Sequence, residues 1–213
     1  MAKRIFITAT NTDIGKTHAT KLLLKTYAKM GYRVAVLKPI ETGVVTLPED
    51  GQALLELIQE LNPECQALHV KDIVPIQFTL PAAPYVANKA KKIDKETLSL
   101  ALEKLEKLCD IVIIEGAGGL YVPVDEETMI IDLIAFFKAK ALLITHCKLG
   151  CINDTLLSLQ ALERKNINFE WALNCRDDDK SFQTVSKPYF DDVFEKLFSI
   201  NDDLNELAKR LMT

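Results

Sequence analysis

The chain has 213 residues, 48% of them hydrophobic and 26% charged, with a formal net charge of −4. That length and balance suit one globular domain with a sizeable core, read as residues 1–213. The mild acidity, with Lys89–Lys92 ("KAKK") as the densest basic cluster, argues against a nucleic-acid surface. No window is apolar for long enough to span a bilayer. Neither nucleic acid nor membrane is therefore expected as a partner.

The start of the chain is not expected to be a secretory leader, because the apolar stretch after the charged Met1–Arg4 is too short. The five cysteines, Cys65, Cys109, Cys147, Cys151 and Cys175, are odd in number and scattered. They read as buried thiols of a cytoplasmic protein. "CKLGC" at 147–151 lacks zinc spacing and a completing ligand pair.

In chain order, "RIFIT" (4–8) is a short apolar run and predicts a buried strand. Residues 16–30 carry apolar side chains at helical spacing, and Gly31 ends them. "RVAVLKP" (33–39) predicts a second strand, and a helix is expected from about Gln52 to Leu61, before Pro63. The segment 75–87 holds three prolines and is expected to be irregular. Residues 95–108 form an amphipathic helix with leucines at 98, 102, 105 and 108. "DIVIIEGAGG" reads as a buried strand running into a glycine loop. A helix (129–137), the strand "ALLIT", a helix (152–164), the strand "FEWAL" and an acidic helical end complete the pattern.

Strands alternating with helices require crossover connections. The fold class is therefore α/β: a mostly parallel central sheet flanked by helices on both faces. Ligands of such sheets bind beyond the carboxyl ends of the strands, and the candidate motifs all fall there. In "TATNTDIGKTH" (8–18), Gly15, Lys16 and Thr17 lie between the first strand and the first helix. In a phosphate loop, backbone N–H groups and a helix start face the anion, the lysine reaches the outer phosphates, and the threonine hydroxyl ligates Mg²⁺. The ordinary motif places a glycine where this chain has Thr10.

The loop resembles that of the dethiobiotin synthetases, G-T-D-T-x-V-G-K-T, a P-loop NTPase-like family whose first glycine falls at Ala9 of this chain. Alanine fits there if its φ is negative. Asn11 and Asp13 stand where the family has Asp and Glu. Three further stretches match in order. "LKPIETG" (37–43) is similar to K-P-x-x-[ST]-G. "VIIEGAGGLYVPV" (112–124) is similar to V-E-G-A-G-G-x-x-x-P, and "KLGCINDTLLS" (148–158) is similar to K-L-G-C-I-N-x-x-L-L-[ST]. The resemblance covers about residues 1–175.

What it implies is an ATP-dependent ligase that closes a ureido ring on 7,8-diaminononanoate with CO₂. A substrate amine takes up CO₂ as a carbamate, the carbamate attacks the γ-phosphate, and the second amine expels phosphate from the mixed anhydride. Lys16, Lys38, Thr12 and Asp13 would serve the reacting groups. Nucleotide would lie on Asn11, Thr12, Asp13, Ile14, Gly15, Lys16, Thr17, His18 and Asn174, the last reading the base. Mg²⁺ would be held by Thr17, Glu115 and Asp50. Asp50 stands in for a family aspartate whose aligned position here is Gln52. Diamine and its carbamate would meet Lys38, Thr42, Glu115, Gly116, Ala117, Gly118 and Gly119. In the family the substrate carboxylate meets the Gly150, Cys151, Ile152, Asn153 element of a second subunit, so a homodimer is expected, with Tyr189 as a further candidate at that interface. The family's later G-E-x-P element is absent.

Competing readings are a cobyrinate-diamide-type synthetase, a partition-type switching ATPase and a nucleotide-binding module without activity. The first would bring a glutaminase domain for which the chain is too short. The second carries an extra lysine early in the loop, and residues 9–12 contain none.

Overall fold

In the computed structural model, which describes residues 2–176 and 179–213, five strands form one parallel sheet in the order β2-β5-β1-β6-β7. These are β1 (Lys3–Ala9), β2 (Val34–Leu37), β5 (Ile111–Gly119), β6 (Lys140–His146) and β7 (Phe169–Asn174). The alternation read from the sequence is thereby met. Met1, part of the charged start, lies outside the described residues.

β1 is the central strand. Ile5, Phe6 and Ile7 have no exposed surface, because successive side chains point to opposite faces and both faces are covered. β1 pairs with β5 over Lys3–Ile7 and with β6 over Ile5–Ala9. One face is covered by α1 (Lys16–Lys29), which buries Leu23, Leu24 and Tyr27. Each such side chain contributes about 1.5–3 kcal/mol on burial. The Tyr27 hydroxyl donates to the Ala208 carbonyl (2.9 Å), tying α1 to the C-terminal helix.

Between β2 and β5 the chain builds a second layer: β3 (Ile40–Thr42), α2 (Glu49–Leu61), α3 (Val70–Ile73), β4 (Ile76–Phe78), α4 (Pro84–Ala87) and α5 (Lys95–Glu106). β3 and β4 pair in parallel as a separate two-stranded sheet. The segment 75–87, expected to be irregular, thus holds a strand and a helical turn. The prolines lie outside the paired residues, where no ladder N–H is needed. α5 starts where Asp94 accepts the N–H groups of Glu96 and Thr97.

The remaining helices are α6 (Ile130–Phe136), α7 (Cys151–Arg164), α8 (Phe182–Val185), α9 (Lys187–Val193) and α10 (Leu204–Met212). Among the described residues no helix is long and apolar enough to cross a membrane.

The cysteine reading needs one correction. Cys147 and Cys175 are joined as a disulfide, with Cα atoms 4.9 Å apart. They follow His146 and Asn174, which are partners in the β6–β7 ladder, so the parallel register itself brings them side by side. Cys65, Cys109 and Cys151 are free and buried. Burial pushes the Cys65 thiol up to about 11 and the Cys109 thiol up to about 12, so neither is a ready nucleophile.

Candidate functional site

The carboxyl ends of β1, β2 and β5 surround a cleft of about 570 Å³. Its floor is the loop between β1 and α1. Ala9 ends β1 fully buried and does not adopt positive φ, so alanine is accommodated at the position of the first glycine. The loop then turns through Asp13 (φ 59°) and Gly15 (φ 104°). A Cβ on Gly15 would lie 2.2 Å from Nδ2 of Asn174. That amide donates to the Ile14 carbonyl at 2.7 Å. Asn174 thus braces the loop from the end of β7, and only glycine leaves it room.

Lys16 opens α1 and folds back to donate to the Asn11 carbonyl (3.1 Å). Burial lowers its pKa below the ordinary lysine value; Glu115 opposes the shift, and Lys38 adds to it. Lys38, just past β2, is almost wholly buried, with Nζ 2.7 Å from Glu115 Oε1 and 2.9 Å from Asp50 Oδ2. Burial alone would lower its pKa, but the two carboxylates outweigh that and raise it, so Lys38 is a fixed cation.

Glu115 has no exposed surface. Its Oε1 accepts from Lys38 and from the Thr17 hydroxyl (2.9 Å), while the buried Oε2 has no partner. A buried carboxylate oxygen without a partner is costly and needs an explanation. With the Thr17 hydroxyl and the half-exposed Asp50 carboxylate beside it, the donor set consists of hard oxygens. Among the described residues no group of three or more His, Cys, Asp or Glu side chains forms a complete metal cage. A partial oxygen set is what Mg²⁺ takes when it keeps waters and shares substrate phosphates, so the residues fit that ion. Gln52, by contrast, turns to the exposed side of α2 and donates to Glu56 (2.9 Å). Of the two positions, Asp50 is the one that reaches the cleft.

Thr12, Asp13, Thr42, Gly116, Ala117 and Gly118 line the same cleft. Gly119 lines a neighbouring cavity of about 490 Å³ between the β5 loop and α7, with Thr10, Asn11, Leu157 and Ala161 among its walls. Asn11, Thr12, Asp13, Ile14 and Asn174 border a third cavity of about 260 Å³. Two groups of sequence candidates lie apart. His18 faces Asn201 (3.5 Å) and lines none of these cavities. Gly150, Cys151, Ile152 and Asn153 sit at the start of α7, also outside them, and the Cys151 side chain is buried in a separate apolar cluster. Tyr189 is partly exposed on α9.

Sequence reasoning missed two residues. Arg176 donates to the Asp13 carbonyl and lines both the cleft and the third cavity. Its position in an irregular loop offers no motif. Glu41 is buried at the cleft wall and accepts the N–H groups of Asp50 (3.2 Å) and Gly51 (2.9 Å). Burial raises its pKa, and Lys38 and the Gly51 N–H oppose that.

A family model described as an AAA domain matches residues 3–197. The ATP-dependent dethiobiotin synthetase of Sulfurovum sp. is 44% identical over 207 residues, covering 97% of this chain and 99% of that protein. The corresponding protein of Wolinella succinogenes is 38% identical and covers 99% of both chains. That of Methanocaldococcus jannaschii is 35% identical, over 86% of this chain and 88% of its own. Among solved structures, a plasmid partition protein of Borrelia burgdorferi bound to AMPPNP aligns with TM-score 0.57 at 13% identity, covering 98% of this chain and 89% of that one. The MinD cell division protein of Aquifex aeolicus aligns with TM-score 0.51 at 18% identity, covering 98% and 87%. At such identities these structures bear on the fold alone: a P-loop NTPase-like parallel α/β architecture.

Proposed function

The chain belongs to the ATP-dependent dethiobiotin synthetase family, and from that membership we propose how its own residues divide the work of ATP-driven ring closure. It is an ATP-dependent ligase of biotin biosynthesis. In our reading residues 1–213 act as one P-loop synthetase domain. Its substrates are ATP, CO₂ and 7,8-diaminononanoate.

The observation that carries the residue assignment is the Lys38–Glu115 pair, buried at the end of the central strands beside the phosphate loop. Acyl-phosphate chemistry of this kind needs no covalent enzyme nucleophile; it needs reactants held in place and negative charge offset. Lys38 lines the same cleft as the loop, where it would face both the carbamate and the γ-phosphate. Lys16 neutralises the outer phosphates, while Thr12 and Asp13 line the region where carbamate and phosphate meet. Backbone at Gly116–Gly119, with Thr42, borders the diamine. Asn174, Asn11, Ile14 and Gly15 border the nucleotide. We assign His18 to the loop's second layer only.

Mg²⁺ would be held by Thr17, Glu115 and Asp50, and when bound would offset charge on the triphosphate. The unpartnered Glu115 Oε2 supports this. We further propose a homodimer in which Gly150–Asn153 of one subunit meets the substrate carboxylate of the other. Support comes from Leu149, 83% exposed beside Gly150, and Leu157, 59% exposed on the same helix. A cytoplasmic location belongs to the same reading. The Cys147–Cys175 bond argues against it, and the thiol count of protein taken directly from cells, five or three, decides.

The test is phosphate release from MgATP with labelled bicarbonate, with and without the diamine. Diamine-dependent release with acid-stable label establishes the reaction in this chain. Release indifferent to diamine, without stable label, would favour a switching ATPase.

A further inference from the structure

α2 begins without a cap of its own. Its N-cap residue is Pro48, which offers no side-chain acceptor. The first N–H groups of a helix have no partner within it, and one left buried and unpaired is costly. Here the acceptor arrives from another element. Glu41 projects from β3, and its two carboxylate oxygens separately take the N–H of Asp50 and the N–H of Gly51, at 3.2 and 2.9 Å. β3 is itself held by its ladder with β4, with Glu41 opposite Gln77, so the acceptor is anchored. Gly51 fits this arrangement. A Cβ there would strike Val74 at 2.2 Å and come within 3.2 Å of Glu41 Oε2. Glycine inside the first turn costs a helix stability, and here it lets strand and helix approach.

The consequence falls on Asp50. Its backbone N–H is one of the two that Glu41 fixes, and its side chain is 2.9 Å from Lys38 Nζ, which in turn holds Glu115. The matched K-P-x-x-[ST]-G pattern leaves position 41 open. We propose that Glu41 is a positioning residue: it supplies the missing cap of α2 and so holds Asp50 at the cleft, where its carboxylate serves the cation site. This rests on the reading of Asp50 as a Mg²⁺-side carboxylate.

The test uses Glu41→Gln, Asp50→Asn, the double variant, and Glu41→Gln with Pro48→Ser, which gives α2 a local cap. Two readouts are taken on the full-length protein: amide exchange at Asp50 and Gly51, and Mn²⁺ titration by electron paramagnetic resonance in the presence of ADP. Losing one helix cap corresponds to a change of about tenfold. E41Q keeps one acceptor oxygen and turns an NH₂ toward the other amide, so it is expected to speed exchange at one of the two amides about tenfold and to raise half-saturating Mn²⁺ several-fold, with ADP affinity little changed. Adding D50N should cost little more, because both act through one carboxylate, and P48S should restore most of the loss.

Three results overturn the proposal. One is unchanged exchange in E41Q. The second is Mn²⁺ effects of E41Q and D50N that multiply in full. The third is failure of P48S to rescue a weakened Mn²⁺ site, which would make Glu41 itself a ligand. If D50N alone leaves Mn²⁺ binding unchanged while E41Q still loosens the first turn of α2, the assignment of Asp50 fails and the capping role stands.

Discussion

Replacing Lys38 with methionine keeps most of the side-chain volume and removes the charge that balances Glu115. The two groups are 2.7 Å apart, and Glu115 has no exposed surface. At an effective dielectric near 20 their attraction is about 6 kcal/mol, and burial of both ions offsets much of it. Breaking such a pair from one side costs about 3–5 kcal/mol, because the remaining charge stays buried. The Thr17 hydroxyl still donates to Glu115, and Lys16 stays nearby, so the low end, about 3 kcal/mol, is expected. The Asp50 arm adds little, since that carboxylate is half exposed and screened. For a chain of this length the loss corresponds to a fall in Tm of about 6–12 °C. Activity should fall further, by about 10²–10³ in kcat, as when one preorganised charge-stabilising donor is removed. The diagnostic measurement is thermal unfolding of both proteins with and without Mg²⁺. A cation that binds beside Glu115 replaces part of the missing charge, so Mg²⁺ should raise the Tm of K38M more than that of the wild type. Equal Mg²⁺ effects would refute the cation reading of Glu115, and a kcat within about tenfold of wild type would refute the role of Lys38.

Nucleotide binding above neutral pH should take up a proton. The Lys16 pKa lies below the ordinary lysine value in the free protein, and an arriving polyanion raises it, so between the two values binding protonates the amine. Calorimetry in buffers of different ionisation enthalpy measures this, and no buffer dependence would contradict it. Gly15→Ala should weaken nucleotide binding at least about tenfold, since the new Cβ both displaces Asn174 and is forced into positive φ, at about 1–2 kcal/mol for the backbone alone. Asp125 accepts the N–H groups of Ile93 and Glu127, each at 3.0 Å. Burial pushes its pKa up, but these bonds and Thr128 outweigh that and lower it. Its contribution is therefore present above the unfolded value near 4 and lost as pH falls through the folded one. Asp125→Asn should cost about 2 kcal/mol at pH 7 in urea unfolding, and the gap to wild type should narrow by pH 3; a gap independent of pH would contradict the assignment. Leu157→Lys should shift the mass in solution from dimer to monomer by light scattering, and an unchanged dimer would move the interface elsewhere.

The main sheet was legible because its strands are buried on both faces, and such strands read as unbroken apolar runs: "IFI" in β1, "IVII" in β5, "ALLI" in β6. The phosphate loop was legible because its lysine and threonine must follow the turning glycine directly. What escaped shares another cause. The start of α2 was expected at Gln52 and lies at Glu49. No capping side chain stands at its N-cap, Pro48; the cap is Glu41, brought in by the β3–β4 ladder. That ladder was missed too, since three-residue strands carry too little alternation to register. The disulfide followed from strand register, which no spacing of cysteines discloses. In each case the missing information was a tertiary contact, and Glu41 lies at the point where one such contact enters the site.

The likeness of this chain to the solved partition and MinD structures is one of fold alone, so the charges placed around the loop have to separate a synthetase from a switch. In the cleft Lys38 is neutralised by Glu115 and Asp50. A triphosphate and a carbamate bring several negative charges to the same space. On the proposed assignment Lys38 would then turn toward the anions on the open side of the cleft. Glu115 would be left buried with Oε2 already unpaired, and a lone buried carboxylate is costly. Mg²⁺ held by Thr17, Glu115 and Asp50 would supply the positive charge that Glu115 then lacks. The ion pair would in this way keep a lysine and a glutamate charged in a buried place until substrates bind. Such an exchange would couple phosphate binding to carbamate binding through one lysine, which a protein that only switches on nucleotide does not require.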